Sequence, residues 1–206
     1  MDKLYSTRSA IRTDASQLGK LHKIEISSGF LSSLNDKFLT LLYENIIDHG
    51  VVYVVESPTK SGQIIGFVSC VESTKKFYIA FLRRNFIKIL PLLFFEIFRP
   101  RFLLKALESL KAPFKKVDVQ ESDNKLDCPE LLSITVSGDY KRHGLGLILL
   151  NSLEGELRRR GVLVYKVVAG ESLRSANSFY KKNEFKLHAN IVVHKGEVSN
   201  IYIKEL

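Results

Sequence analysis

Three consecutive basic residues, Lys141, Arg142 and His143, stand directly before a Gly-Leu-Gly step and a long amphipathic run. A helix that begins at this point would present unpaired backbone N–H groups and the positive end of its dipole. The glycines Gly144 and Gly146 would let an anion approach the backbone without a Cβ in the way. We therefore expect the turn to hold a phosphate or diphosphate. The alternative is that the glycines only satisfy turn geometry, while the basic side chains are solvated.

The elements around this turn predict how it is positioned. The run "PELLSITV" before it reads as a strand, and the amphipathic run after it as a helix that Gly161 closes. The strand "VLVYKVVAG" and the helical stretch "ESLRSANSFYKKNEF" follow, and two strands around Gly196 end the chain. The turn should therefore join a strand to a helix.

The first half of the chain adds helices and a hairpin. A short strand precedes a helix for which Asp14 is the predicted N-cap and Gln17 the capping-box residue. A second helix, with apolar residues at helical spacing, ends at Gly50. Two β-branched runs joined by "PTKSGQ" then predict a hairpin. The whole order predicts an α/β (α+β) domain with a mixed central sheet.

Length and cysteine content narrow the class of protein. The 206 residues suit a single domain, residues 1–206, with a sizeable insertion. The two cysteines, Cys70 and Cys128, are far apart and belong to no Cys/His metal pattern, so we expect no metal. Unpaired cysteines and an N-terminus without an apolar signal region predict a cytoplasmic protein.

The positive charge is concentrated in one insert, residues 75–117. Eleven basic and two acidic residues lie between Lys75 and Lys116, and this excess equals the +9 net charge of the entire chain. Such a distribution argues against a general nucleic-acid binder. Residues 86–98 are mostly apolar but too few to span a bilayer, which takes about 20 residues. Three interpretations stay open: an acceptor-site wall, a homodimer interface, or a basic amphipathic element on a membrane surface. We expect Pro91, Pro100 and Pro113 to break the insert into pieces.

Two motifs resemble those of the GNAT N-acetyltransferase superfamily. Its acetyl-CoA motif, Arg/Gln-x-x-Gly-x-Gly/Ala after a strand, matches residues 141–146, with Lys141 at the Arg/Gln position. Its later motif, Phe-Tyr-x-Lys-x-Gly-Phe, matches residues 179–185, with Glu184 in place of glycine. The resemblance covers residues 130–185 by motif and the first half by element order. It implies the acyl-CoA N-acyltransferase fold, a mixed, mostly antiparallel sheet flanked by helices, here with a helical insertion.

The resemblance also implies which residues bind acetyl-CoA. The strand before the turn should separate from its neighbour, so that backbone groups of three of its residues pair with the pantetheine amides. The basic turn would wrap the pyrophosphate. The superfamily often has an asparagine seven residues before its tyrosine; this chain has Leu173 there, and Asn177 lies one helical turn later. The predicted cofactor residues are Ile134, Thr135, Val136, Lys141, Arg142, His143, Gly144, Leu145, Gly146 and Asn177.

Two residues have predicted catalytic roles. Glu130 stands where one branch of the superfamily keeps its catalytic glutamate, and a base is needed because a lysine-like amine is only roughly one part in 2,500 neutral at pH 7. The alternatives for the base are Glu171, His188 or an ordered water, and a solvated Glu130 is as consistent with the sequence. Tyr180 is placed to meet the departing sulfur, either as an acid or as a hydrogen-bond donor.

Together these features predict an acetyl-CoA-dependent N-acetyltransferase that uses direct attack in a ternary complex. The predicted acceptor is a primary amine of a small molecule, with an amino sugar or nucleotide-linked amino sugar as the favoured class. The alternatives are a protein or peptide acetyltransferase, and a non-catalytic CoA-binding module at a membrane surface. We expect no nucleic-acid partner.

Overall fold

The computed structural model describes residues 5–26, 31–97, 126–194 and 197–206. The later part of the predicted insert and the turn around Gly196 lie outside these ranges. The strands are β1 (Thr7–Ser9), β2 (Val51–Glu56), β3 (Ile64–Val71), β4 (Glu130–Val136), β5 (Val164–Gly170), β6 (Lys186–His194) and β7 (Glu197–Glu205). The helices are α1 (Ala15–Glu25), α2 (Asp36–His49), α3 (Thr74–Ile97), α4 (Leu145–Arg159) and α5 (Arg174–Lys182).

The described strands form one sheet in the order β1-β2-β3-β4-β5-β7-β6. Neighbouring strands are antiparallel except β4 and β5, which run parallel because α4 connects them. The predicted mixed, mostly antiparallel sheet flanked by helices is therefore confirmed. The parallel pair lies at the centre of the sheet, and the basic turn follows one of its two strands.

Two apolar clusters cover the two faces of the sheet. One joins α1, α2 and α3 to the sheet through residues that include Leu18, Phe38, Phe67 and Phe81. The other joins α4 and α5 to it through residues that include Leu149, Tyr165, Tyr180 and Tyr202. The sheet is thus buried on both sides, and β3 is buried along its entire length.

Helix α2 ends at Gly50 as its sequence predicts, and the structure adds a cap at its start. The side chain of Asn35, the N-cap residue, accepts a hydrogen bond of 2.8 Å from the Phe38 N–H. At the other end a Cβ on Gly50 would lie 2.5 Å from the Cys70 carbonyl oxygen, so only glycine fits where the chain turns into β2. This close approach fixes the end of α2 against β3.

The start of α1 differs from the predicted capping box. A short 3₁₀ turn, Arg12–Asp14, precedes the helix, and the Asp14 carboxylate accepts hydrogen bonds from Arg8 and from the Ile11 N–H instead of capping α1. The Gln17 side chain donates to the Gly62 carbonyl and accepts from the Ile64 N–H. Both residues therefore form tertiary contacts to the sheet region, and these outweigh the local cap.

The prediction that Pro91 breaks the insert is wrong. Helix α3 runs through Pro91 to Ile97, while Pro100 and Pro113 lie outside the described residues. A proline within a helix removes the hydrogen bond to the carbonyl four residues earlier, here that of Ile87. Because Ile87 and Pro91 are exposed, water can serve that carbonyl and the helix continues.

Candidate active site

A wedge opens between the two parallel strands at the centre of the sheet. Strand β4 pairs with β5 only at Glu130 and Leu131, but it pairs with β3 as far as Val136. The register with β3 shifts at Leu132, which has no cross-strand partner and so forms a bulge. The backbone edge of β4 that faces β5 is therefore unpaired beyond Leu131, over the residues predicted to bind pantetheine.

The turn after β4 is shaped for an anion. Arg142 and Gly144 adopt left-handed backbone conformations, with φ of 67° and 76°. Helix α4 begins at Leu145 without a side-chain cap. Within the described ranges, the five backbone N–H groups from Arg142 to Gly146 donate to no protein acceptor, whereas that of Leu147 bonds to the Gly144 carbonyl. A run of unpaired N–H groups at the start of a helix is the arrangement that binds a phosphate.

Glycine is suited to positions 144 and 146 for different structural reasons. Gly144 has a positive φ, which favours glycine over residues with a side chain. A Cβ on Gly146 would lie 3.2 Å from the Phe179 ring, so glycine lets α4 pack closely against α5. Phe179 belongs to the second predicted motif, and the structure therefore brings the two motifs into contact.

The predicted cationic residues of the turn have unequal surroundings. Arg142 and His143 are exposed. The Lys141 ammonium lies 2.7 Å from a carboxylate oxygen of Glu25, whose other oxygen accepts from the Gly138 N–H at 2.7 Å. Burial favours the protonated form of Glu25, but these two hydrogen bonds outweigh it and lower its pKa. Glu25 is far from the motif in sequence, and no sequence pattern indicates this contact.

The predicted base, Glu130, lies at the closed end of the wedge. Its side chain is 16 % exposed, and a carboxylate oxygen lies 3.9 Å from the Lys166 ammonium on β5. Burial raises the pKa of Glu130, although the Lys166 charge opposes that change. Tyr78 on α3 is close enough for the Glu130 charge to act on it: burial, together with that charge, raises the pKa of Tyr78 to about 12. Neither Lys166 nor Tyr78 follows from the sequence motif.

Tyr180 lies in the apolar cluster that also contains Ile134 and Val136 from β4. Its ring is packed edge-on against Phe179 and Phe185, at centroid distances of 5.7 and 5.2 Å. Its hydroxyl has no hydrogen-bond partner among the described residues. Burial raises the pKa of this phenol. A phenol with a raised pKa is a weaker acid and is suited to donating a hydrogen bond.

Asn177 has a structural hydrogen-bond network. Its amide nitrogen donates to the carbonyls of Gly170 and Leu173, at 2.9 and 2.8 Å, and also to that of Glu171. Its amide oxygen accepts from Asn200 and Tyr202, at 2.8 and 2.9 Å. Both ends of the amide are used within the protein, so a direct contact from Asn177 to the cofactor would require these bonds to break. Its cofactor role stays a prediction.

The turn after α5 keeps the shape that the motif requires. Glu184 stands where the resembled motif has glycine, and its φ is 68°, in the region that favours glycine. A left-handed conformation at a residue with a side chain costs of order 1 kcal/mol. The fold therefore keeps this turn despite the substitution, and Phe185 still reaches the ring of Tyr180.

The other two predicted bases have different surroundings: Glu171 directly follows β5, and His188 lies on β6. Glu171 is exposed and lines an open cavity of about 820 Å³ between α5 and the β6–β7 pair. His188 lies at a bulge of the edge strand β6, and its Nε2 atom is buried without a hydrogen-bond partner in the structure as described. Among the described residues no group of three or more His, Cys, Asp and Glu side chains could hold a metal ion.

Comparisons with known proteins agree on the fold. Neither a family model nor a curated protein matches the sequence. Among solved structures, Arabidopsis thaliana NAA60 in complex with a bisubstrate analogue is 12 % identical, with a TM-score of 0.60, and the match covers 98 % of this chain and 97 % of that one.

One bacterial and one archaeal structure show the same fold. The Escherichia coli ribosomal-protein-S18-alanine N-acetyltransferase is 15 % identical, with a TM-score of 0.56, over 98 % of this chain and 93 % of that one. The Thermoplasma acidophilum PaiA N-acetyltransferase in complex with coenzyme A is 13 % identical, with a TM-score of 0.56. That match covers 98 % of this chain and 99 % of the other. The structures agree along almost the whole chain while the sequences have diverged widely. The chain therefore has the fold of the GNAT N-acetyltransferase superfamily, which its two motifs predicted.

Proposed function

We propose that this protein is an N-acetyltransferase that moves the acetyl group of acetyl-CoA to a primary amine by direct attack in a ternary complex. One observation carries the proposal: the five unpaired N–H groups from Arg142 to Gly146 directly follow the strand that separates from its parallel neighbour. The turn offers donors for a pyrophosphate, and the wedge offers unpaired backbone for an amide-bearing arm. Coenzyme A has both groups in this order.

The described residues divide the chemistry between them. The edge of β4 at Ile134, Thr135 and Val136 binds the pantetheine amides, and an N–H near Val136 serves the oxyanion that forms on attack. Glu130 accepts the proton of the amine. Its raised pKa makes it a stronger base than an ordinary glutamate, which matters because most of a lysine-like amine is protonated at pH 7.

Tyr180 acts on the leaving sulfur by donating a hydrogen bond. A free phenol, with a pKa near 10, is already a weaker acid than a thiol near 8.5. Because burial raises the pKa of Tyr180 further, full proton transfer to the thiolate becomes still less favourable. Of the two roles that the sequence left open, the raised pKa of Tyr180 supports hydrogen-bond donation.

The acceptor that we favour is a small molecule that carries a primary amine, with an amino sugar or nucleotide-linked amino sugar as the first class to assay. The support is the basic insert, whose cations suit a phosphorylated or acidic substrate. Two unpaired, buried cysteines fit a reducing, cytoplasmic setting.

A peptide N-terminus is the second acceptor class. One of the solved structures with this fold is, by its name, an enzyme for a ribosomal-protein alanine. An α-amino group near pKa 8 has a deprotonation cost of only about 1.4 kcal/mol at pH 7, so it depends less on Glu130. A panel of amino sugars, polyamines and peptides, each assayed by release of free CoA, separates these classes and also identifies a protein that binds CoA without turnover.

Replacing Tyr180 with Phe tests the assignment of the site. We expect turnover to fall about 100-fold, with CoA affinity within about 3-fold of the original protein, because only the donor to the sulfur is lost. Tyr202→Phe is the matched control: it removes a buried hydroxyl from the same cluster, and that hydroxyl bonds to Asn177. Turnover that is equal in Tyr180→Phe and the original protein would refute the role of Tyr180.

A further inference from the structure

A cavity of about 560 Å³ lies at the amino end of β4, and we call it the basal cavity. Helices α2 and α4 end beside it, β3 also ends there, and the first turns of α3 form one side. Its buried walls are apolar and include Val51, Val71, Phe77, Phe81 and Leu157. A cavity of this size, with apolar walls and a few polar groups, is suited to binding a small molecule.

The basal cavity is separate from the proposed cofactor site. Its lining includes Pro129, which directly precedes β4, whereas the anion-binding turn comes after Val136, the last residue of that strand. A strand of seven residues spans about 20 Å. No residue from Arg142 to Gly146 belongs to the lining. A molecule in the basal cavity would therefore leave the turn free.

Arg84 on α3 brings an available positive charge to this cavity. Its guanidinium is hydrogen-bonded to the Nε2 atom of His49 at the end of α2, and the described residues place no carboxylate within ion-pair distance of it. Because arginine has donors only, Nε2 of His49 must be the acceptor, and the imidazole is neutral. The guanidinium therefore keeps its charge and has further N–H groups for an anion.

The other charges around the cavity also favour an anion. The lining has three cations and two carboxylates, namely Lys76, Arg84, Arg160, Glu72 and Asp127. Lys76 lies 3.7 Å from Asp127, and Arg160 pairs at 2.7 Å with Glu156, which is not part of the lining. Glu72 is the opposing charge, but it forms no ion pair with Arg84 in the described part of the chain. Arg84 is therefore the cation most available to a ligand.

We propose that the basal cavity binds a small molecule that joins an apolar body to one anionic group, either a carboxylate or a phosphate monoester. The apolar body packs against Phe77, Phe81 and Leu157. The anionic group meets Arg84 at the mouth of the cavity, where Arg84 and His49 are both exposed. This binding is independent of acetyl transfer.

The site also gives a role to one cation of the basic insert. Arg84 lies in the part of the insert that the structure describes, and α3 places it beside the ends of α2 and α4. No helix of the described ranges is long and apolar enough to cross a membrane.

The test is calorimetry of the full chain with octanoate, octyl phosphate, octanol and acetate, each with and without saturating CoA. We expect octanoate and octyl phosphate to bind equally well in both conditions. Octanol should bind at least about 10-fold more weakly than the better of these two because it lacks the charge. Acetate should show no measurable binding because it lacks the apolar body. The comparison of octanoate with octyl phosphate identifies the anionic group.

Variants separate the charge from the shape of the cavity. Arg84→Gln should weaken octanoate binding at least about 10-fold, whereas Arg83→Gln, the matched control, removes the same charge outside the lining and should stay within about 2-fold of the original protein. His49→Glu places a carboxylate beside Arg84 and should weaken binding, while His49→Gln keeps a neutral acceptor and should preserve it. Ala80→Leu adds bulk to the wall and should exclude octanoate without changing any charge.

Equal octanoate affinity of the Arg84→Gln and Arg83→Gln variants overturns the proposal, as does the absence of binding by both octanoate and octyl phosphate. Competition with CoA also overturns it, because the probes would then occupy the cofactor site. Thermal unfolding of each variant shows whether its fold is retained. If Arg84→Gln fails to fold, the comparison of His49→Glu with His49→Gln decides instead. Since binding is measured without turnover, the result stands apart from the proposed acetyl transfer.

Discussion

The two ends of strand β4 carry the two halves of the proposed site, and they are built in different ways. At its carboxyl end the turn to α4 is formed by consecutive residues, with left-handed conformations at Arg142 and Gly144 and unpaired N–H groups. At its amino end Glu130 is largely buried, which raises its pKa, and it lies 3.9 Å from Lys166 on β5, whose charge opposes that change. The carboxyl end of β4 is therefore a local backbone structure, whereas at the amino end side chains that are distant in sequence lie close together.

This difference explains what each end can do. Backbone N–H groups do not depend on the type of the side chain, proline excepted, so the proposed anion site should tolerate Lys141 where the motif has Arg or Gln. The basicity of Glu130 depends on its burial, which raises its pKa, and the Lys166 side chain partly opposes that change. We therefore expect cofactor binding to depend on backbone access and the acceptor reaction to depend on side chains.

Gly146→Val should have the largest effect, at the carboxyl end. The added side chain would meet the Phe179 ring, so the start of α4 and its free N–H groups would have to shift, and we expect CoA affinity, measured by calorimetry, to fall at least about 100-fold. Gly155→Val is the matched control, because a Cβ there meets nothing within 4 Å in the same helix. Equal affinities of the two variants would contradict a pyrophosphate site at this turn.

Glu130→Gln should have the next largest effect, at the amino end. We expect turnover at pH 7 to fall about 100-fold while CoA affinity stays unchanged. In the original protein the rate should fall as the pH drops through the raised pKa of Glu130, above the ordinary value near 4.3, because the base must be deprotonated. The variant should lose that acidic limb, whereas Glu72→Gln, at an exposed glutamate, should keep it.

The same substitution has a predicted effect on stability. A folded-state pKa above the unfolded value means that the folded protein disfavours the charged carboxylate, so this contribution is present below about pH 4.3 and is lost as the pH rises through the folded pKa. Glu130→Gln removes the change. Denaturant unfolding at pH 4 and pH 8 should show a smaller loss of stability at pH 8 for the variant than for the original protein.

Lys141→Gln should have the smallest effect. Because Glu25 already pairs with the Lys141 ammonium, we expect CoA affinity to weaken only about 3-fold, as for a surface ion pair. Lys20→Gln, which changes an exposed lysine of α1, controls for overall charge. A loss of 100-fold would show that Lys141 leaves Glu25 for the pyrophosphate, and the contrast between backbone and side-chain binding would then fail.

The fold could be predicted from the sequence because its strands, helices and turns are indicated by patterns of residues that are close together in the chain. The strand, helix and hairpin patterns gave the element order, and the two motifs gave the turn between β4 and α4 and the helix α5. The left-handed Glu184 shows that the later motif holds in shape even where a residue departs from it.

What the sequence missed depends on contacts between distant residues. Glu25 meets Lys141 across more than a hundred positions, and Asn177 is held by Asn200 and Tyr202 from β7. Pro91 was expected to end a helix, but its exposed position lets solvent replace the lost hydrogen bond. Periodicity indicates which residues form a helix, but not which partners its polar side chains find.

The insert leaves and re-enters the sheet at neighbouring points, since Val71 and Glu130 are cross-strand partners in β3 and β4. The segment between them therefore starts and ends at adjacent positions of the sheet. The entropic cost of closing such a segment grows only slowly with its length. A change in the length of this segment therefore need not alter the register between β3 and β4. The first turns of α3 are linked to the proposed base, because Tyr78 is near enough for the Glu130 charge to help raise its pKa.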